Sequence, residues 1–259
     1  MANTVYENFV LENKLSDMLT TQVDLNSYMT IDTDLTINAG MKKMIHTYKA
    51  TSGVEELTMG TGNTRDIEVS FDSKEYTAKT YQGRFVYYDE QMMQDPMVVD
   101  TGLAGISADI VNQFTKLAIG EFDKATLTAT GTTWNFDVVV DAIAELNLED
   151  ESGLFLLISP ADKAAFRKAL KDDLSQSEGY VRTGYIGSVA GVPVIVSKAV
   201  TEGKGYLATK EAVTCFVKKD TEIEQERDAN LRKNSVYGRK VAIVALTDAT
   251  KAVKITIGG

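Results

Sequence analysis

The chain predicts an α+β fold, a mixed body from which one long β-ribbon projects. Three observations in its 259 residues carry this. Leu103, Ile106, Ile110, Phe114 and Leu117 recur at helical spacing over a proline-free stretch. Ile67, Val69 and Phe71 alternate with Glu68, Ser70 and Asp72, the period of a half-buried strand. Leu154-Phe155-Leu156-Leu157-Ile158 is an unbroken apolar run of strand length, as expected for a strand covered on both faces.

Taken in order, residues 5–19 place Phe9, Leu11, Leu15 and Leu19 on roughly one stripe, which predicts a short amphipathic helix. The polar stretch 22–38 reads as extended, so residues 1–40 form an N-terminal arm. Residues 41–88 form a long hairpin, with one strand over 45–50 and another through 67–71. The intervening segment, Ser52-Gly53 through Gly60-Thr61-Gly62-Asn63-Thr64, is rich in turn formers and poor in large apolar side chains. Isolated ribbons are marginal in water, so this hairpin needs something to lie on.

A long helix is predicted over 101–125, with Pro96 placed upstream where it cannot interrupt. Gly131-Thr132-Thr133 breaks the chain. Asn135 then caps a second helix carrying Phe136, Val140, Ile143 and Leu146. Ser159-Pro160-Ala161-Asp162 starts a third, with a capping serine, a first-turn proline and an acid at the positive end, and Phe166 and Leu170 face inward. Gly187 and Gly191 serve turns around a strand over 192–196. Thr209 opens one helical turn before the strand-like Cys215-Phe216-Val217. Two strands, 241–246 and 253–257, close the chain.

Composition narrows the function classes. With 37 acidic against 27 basic residues the net charge is -10, the wrong sign for a protein that grips phosphates, so direct DNA binding is disfavoured. No apolar run approaches the ~20 residues that cross a bilayer. The first residues lack the basic start and apolar block of a signal peptide, which predicts retention in the cytoplasm of the producing cell. Cys215 and His46 are the single cysteine and histidine, too few for an internal disulfide or a structural zinc site.

No candidate constellation survives weighing. Cys215 as nucleophile with His46 as base is outweighed by Cys215 as a small buried hydrophobe beside Phe216 and Val217. Gly60-Thr61-Gly62 lacks the third glycine, the Gly-Lys-Ser/Thr ending and the following helix of a phosphate or dinucleotide loop. Asp172-Asp173 and Glu149-Asp150-Glu151 offer oxygen ligands for a divalent cation, but solvated acidic loop ends are the commoner case. Catalytic, cofactor-binding and metal residues are therefore assigned to none. Tyr76, Tyr81, Tyr87 and Tyr88 fit a partly wet interface, since tyrosine pairs an apolar ring with a polar tip, whereas Phe85 and Trp134 fit the core. The candidate inter-subunit contacts are Ile67, Val69, Phe71, Tyr76 and Tyr81.

Three stretches together resemble the major capsid proteins of tailed bacteriophages, the Hong Kong 97-type fold. The first is the order of parts: arm, long hairpin, long helix, α/β lobe. The second is Gly184-Tyr185-Ile186-Gly187-Ser188-Val189-Ala190-Gly191-Val192-Pro193-Val194-Ile195-Val196-Ser197, a glycine-punctuated turn leading into a strand. The third is the tail from Glu224 through Arg239 to Ile257, with its Glu-Arg-Asp and Tyr-Gly-Arg-Lys segments.

The resemblance implies an N-terminal arm (1–40) and an extended loop (41–88) reaching onto a neighbouring subunit. It implies a peripheral lobe (89–134, completed by 221–259) with the long helix as spine, and an axial lobe (135–220) around hexamer and pentamer axes. It further implies self-assembly into an icosahedral virion shell in the host bacterial cytoplasm, enclosing double-stranded DNA without specific binding. Scaffold, portal and decoration proteins are the implied partners. Some relatives carry a long cleaved N-terminal scaffolding segment. Here the arm begins almost at Met1, so either such a segment has been removed or a separate scaffold serves. Covalent cross-linking is not carried over, because no partner asparagine or catalytic acid is identifiable for Lys49, Lys74 or Lys79. The alternatives are an encapsulin-like nanocompartment shell and, behind it, a soluble α/β enzyme with a carboxylate-based site.

Overall fold

A computed structural model describes residues 28–37, 40–169 and 187–258. The predicted helix over 5–19 and the inward-facing Leu170 lie outside them. The described chain opens with β1 (Thr30–Asp32) and the single turn α1 (Asp34–Ile37), where the Asp32 carboxylate accepts from the Asp34 amide at 2.8 Å. Then come β2 (Lys42–Ala50), β3 (Val69–Thr77) and β4 (Lys79–Tyr88), followed by α2 (Asp89–Gln94) and α3 (Met97–Phe122). The remainder is β5 (Leu127–Gly131), α4 (Phe136–Leu146), β6 (Leu154–Ile158), α5 (Pro160–Ala169), β7 (Ser188–Val189), β8 (Val192–Val196), β9 (Lys204–Thr209), β10 (Val213–Asp228), β11 (Lys233–Leu246) and β12 (Ala252–Ile257).

Among the described residues the strands form three sheets: a four-stranded one ordered β1-β10-β11-β4, a six-stranded one ordered β5-β12-β9-β6-β8-β7, and the β2-β3 ribbon. Helix α3 ties the two large sheets together. Its Ile106, Ile110 and Phe114 pack in one cluster with Cys215, Val217 and Ala242 of the four-stranded sheet. At its far end Phe122 meets Phe155 and Tyr206 of the six-stranded sheet, with ring centroids 6.0 and 6.1 Å apart. The opposite face of the six-stranded sheet is covered by α4 and α5 over a second cluster that includes Trp134, Val139, Leu156, Phe166 and Ile255.

Local signals explain several element ends. The Asn135 side chain accepts from the Val138 amide at 3.0 Å, capping α4 as its sequence predicts. Ser159 Oγ takes the Asp162 amide at 3.1 Å and starts α5. Between β7 and β8 both turn residues have positive φ, Ala190 at 50° and Gly191 at 82°, the backbone of a tight two-residue hairpin. The Gly187 carbonyl accepts the Val194 amide at 2.9 Å beside it.

Five expectations need correction. Helix α3 starts at Met97, directly after Pro96, and ends at Phe122 rather than 125. The hairpin is shorter than 41–88, because Lys79–Tyr88 leaves it after buried Ala78 and pairs along β11. Thr209 opens no helical turn: it ends β9, and its carbonyl accepts the Ala212 amide at 3.1 Å across a tight turn into β10. The run 215–217 is only the apolar start of β10, which continues through a charged stretch to Asp228. That polar half is held as a strand by its antiparallel register with β11 and by cross-strand pairing: Arg239 binds Glu222 at 2.6 Å and Glu224 at 2.8 Å. The large sheets also cut across the 135–220 division, since β5 and β12 belong to the six-stranded sheet and most of β10 to the four-stranded one.

Candidate assembly surface

In the β2–β3 ribbon, antiparallel register puts Met44 opposite Glu75, His46 opposite Ser73 and Ala50 opposite Val69. Alternation therefore gathers Met44, His46, Val69 and Phe71 on one face and Lys43, Ile45, Lys74 and Tyr76 on the other. The two faces have different fates. Ile45 and Tyr76 pack back against a cluster of Leu35, Ala78, Phe216, Val241, Ile243 and Ala245, and this contact anchors the ribbon's base. Opposite them Met44 is 56% exposed, and Val69 and Phe71 are each 64% exposed. His46 lies edge-on to Phe71, centroids 6.0 Å apart.

Of the five residues singled out from sequence, the structure thus brings Val69 and Phe71 together on an outward face. Ile67 stands just before β3, exposed, with its side chain close against Gly53, where an added methyl would lie 2.6 Å from Ile67 Cγ1. Tyr76 is half-buried on the anchoring face, where burial raises its pKa. Tyr81 lies in β4, edge-on to Phe114 of α3 with centroids 5.3 Å apart, and burial raises its pKa as well. Sequence reasoning missed Met44, Val54, Leu57 and Met59, which extend the exposed apolar surface to the ribbon's tip. Only Met44 carried a signal, through its alternation with the anchored Lys43 and Ile45.

The residues weighed for chemistry lie apart. Cys215 is buried in β10 under α3, and desolvation raises its thiol pKa, whereas His46 belongs to the exposed face of the ribbon, in a different sheet. Gly60 has φ 89° in a turn closed by the Thr61 amide donating to Thr58 at 3.0 Å. Asp150 turns back on its own loop, accepting from Ser152 N and Oγ, and those bonds lower its pKa. Asp172 and Asp173 lie outside the described residues. One polar cluster joins elements: at the end of α3, Asp123 contacts Lys204 at 2.9 Å, Lys254 at 3.0 Å and Tyr206 Oη at 3.2 Å. The Lys204 hydrogen bond leads in lowering the Asp123 pKa to about 2. An acid at a helix C-terminus opposes the dipole, and the two lysines offset it.

Comparison with known proteins fits this architecture. The family described as phage capsid protein matches residues 72–255, and the chain belongs to that family. The major capsid protein of Staphylococcus phage phiMR11 is 28% identical over 138 residues, covering 52% of this chain and 50% of that protein. The chain thus aligns with about half the length of that curated relative. Among solved structures, the mature capsid of bacteriophage PhiM1 superposes with a TM-score of 0.71 at 12% identity, covering 90% of this chain and 86% of that one. A virus-like particle from Pyrococcus furiosus gives 0.62 at 13% identity, covering 95% and 98%. The fold is the Hong Kong 97-type α+β fold.

Proposed function

We propose that the chain is the major capsid protein of a tailed phage, whose copies assemble as hexamers and pentamers into the icosahedral shell around the double-stranded DNA genome. The observation that carries this is the ribbon, anchored by one face and apolar on the other. A surface of Met44, Val69 and Phe71 at 56–64% exposure is costly for an isolated subunit and useful to one buried by neighbours. In this reading the ribbon lies across an adjacent copy, the four-stranded sheet with α3 forms the peripheral lobe, and the six-stranded sheet with α4 and α5 forms the axial lobe. Many weak contacts, repeated by symmetry, sum to a stable wall. The net charge of -10 suits a wall that encloses DNA without holding it. The subunit acts as structure rather than catalyst, and scaffold, portal and decoration proteins join it in the host cytoplasm.

The likeness to the Pyrococcus furiosus particle favours a second reading, a nanocompartment shell. Electron micrographs of concentrated protein, with nuclease-protected nucleic acid measured in particles from infected cells, test both. Closed shells holding nucleic acid are expected. Shells holding a single cargo protein overturn the phage reading, and a chain that never closes overturns both.

A further inference from the structure

The two helices over the outer face of the six-stranded sheet expose opposite charges. Helix α4 turns Asp137, Asp141 and Glu145 outward at successive one-turn intervals, beside Phe136 and Val140, which are 45% and 40% exposed. Like charges one turn apart repel. No basic residue occurs in α4, and no ion pair reaches the three carboxylates among the described residues. Helix α5 is the counterpart. Its one acid, Asp162, is buried and hydrogen-bonded inward, while Arg167 and Lys168 are exposed and Lys163 is half-buried beside them. Lys163 and Arg167 stand one turn apart, and burial together with the Arg167 charge lowers the Lys163 pKa.

Both helices contribute to one cluster on one sheet face, α4 over β5 and β12, α5 in the connection from β6 to β8. Strand β9 lies between these pairs, and no described ion pair links α4 to α5 within the subunit. Each copy therefore offers an acidic, partly apolar face and a separate basic one. We propose that α4 of one copy docks on α5 of the next copy around a capsomer. This rests on the shell reading above. A head-to-tail contact of this kind is heterologous and closes into rings. Phe136 and Val140 supply the apolar part, and the charges fix register and reject other orientations.

Two variants of the full chain test it. Lys163→Glu/Lys168→Glu makes both faces acidic, and Asp141→Lys/Glu145→Lys makes both basic. Each is expected to keep the parent's circular dichroism and to form at least about tenfold fewer shells alone. Mixed in equal amounts, the two variants satisfy each contact only by alternating. Alternation closes an even ring, so native mass spectrometry should show hexamers restored and pentamers not. Asp141→Asn/Glu145→Gln, which preserves shape, should weaken assembly less than the reversal. Either reversed variant assembling like the parent overturns the contact and leaves the shell reading standing. Folded variants whose mixture stays monomeric do the same. A parent chain that forms no particles overturns the shell reading and this contact with it.

Discussion

Asp162 is only 4% exposed, yet none of the lysines or arginines meets it among the described residues; neutral donors hold it instead. Trp134 Nε1 donates to Oδ1 at 2.8 Å, Ser159 Oγ donates to Oδ2 at 2.6 Å, and the Gly203 amide donates at 3.1 Å. One carboxylate thus pins the α4 approach, the α5 start and the β8–β9 connection to one point. Asp162→Ala leaves the buried indole and the part-buried Gly203 amide without an acceptor, at about 1–3 kcal/mol for the indole and less for the amide. A urea denaturation series should show about 3 kcal/mol lost, while Asp162→Asn, which keeps one oxygen acceptor, should lose about half of that. The helix start was legible because Ser159, Pro160 and Asp162 carry a cap, a first-turn proline and an acid within one turn. The buried partners were not, since 28 and 41 residues separate Trp134 and Gly203 from Asp162. Sequence proximity carries caps and turns, and side chains that meet through the fold leave no such trace.

At the scale of elements, α3 was the clearest reading and its seat the least. Gly83 and Gly238 pair directly across β4 and β11, and Ile106 of α3 sits over both. A methyl added at Gly238 would lie 2.5 Å from Ile106 Cγ2, and one at Gly102 of α3 would lie 2.5 Å from the Phe85 ring. The glycines let helix and sheet approach closely where a larger side chain would hold them apart. Gly238→Ala should therefore overpack the crossing and cost about 1–3 kcal/mol. Ile106→Ala removes the opposing methyl, and the double variant should be more stable than the sum of the two losses predicts, by about 1 kcal/mol in a thermal or urea cycle. Additive losses would mean the backbone yields instead. The second half of β10 escaped sequence reading for a related reason. Its charged residues have no apolar alternation, and it is the register with β11 and the facing Arg239 that make a strand of them.

At the scale of the whole molecule, the two faces of the β2–β3 ribbon separate folding from assembly. Ile45 and Tyr76 belong to the subunit's own cluster, so Tyr76→Asp buries a charge there and should lower the monomer's melting temperature. Val69→Asp and Phe71→Asp lie on the outward face and should leave it within about 0.5 kcal/mol of the parent, as surface changes do. A specific contact needs on the order of 1,000 Å² of buried surface, and two charges at its centre should abolish it. Shell yield should then fall sharply for the outward pair while circular dichroism stays unchanged. Replacing residues 52–66 with a short Gly-Ser turn should act the same way, because that tip holds exposed Val54, Leu57 and Met59 with no place in the described core clusters. Normal shells from both variants would mean that the outward face is not an assembly element. Loss of the monomer fold from the tip replacement would mean that the ribbon belongs to the subunit's own stability, and its role would then have to be sought at the anchoring face around Tyr76.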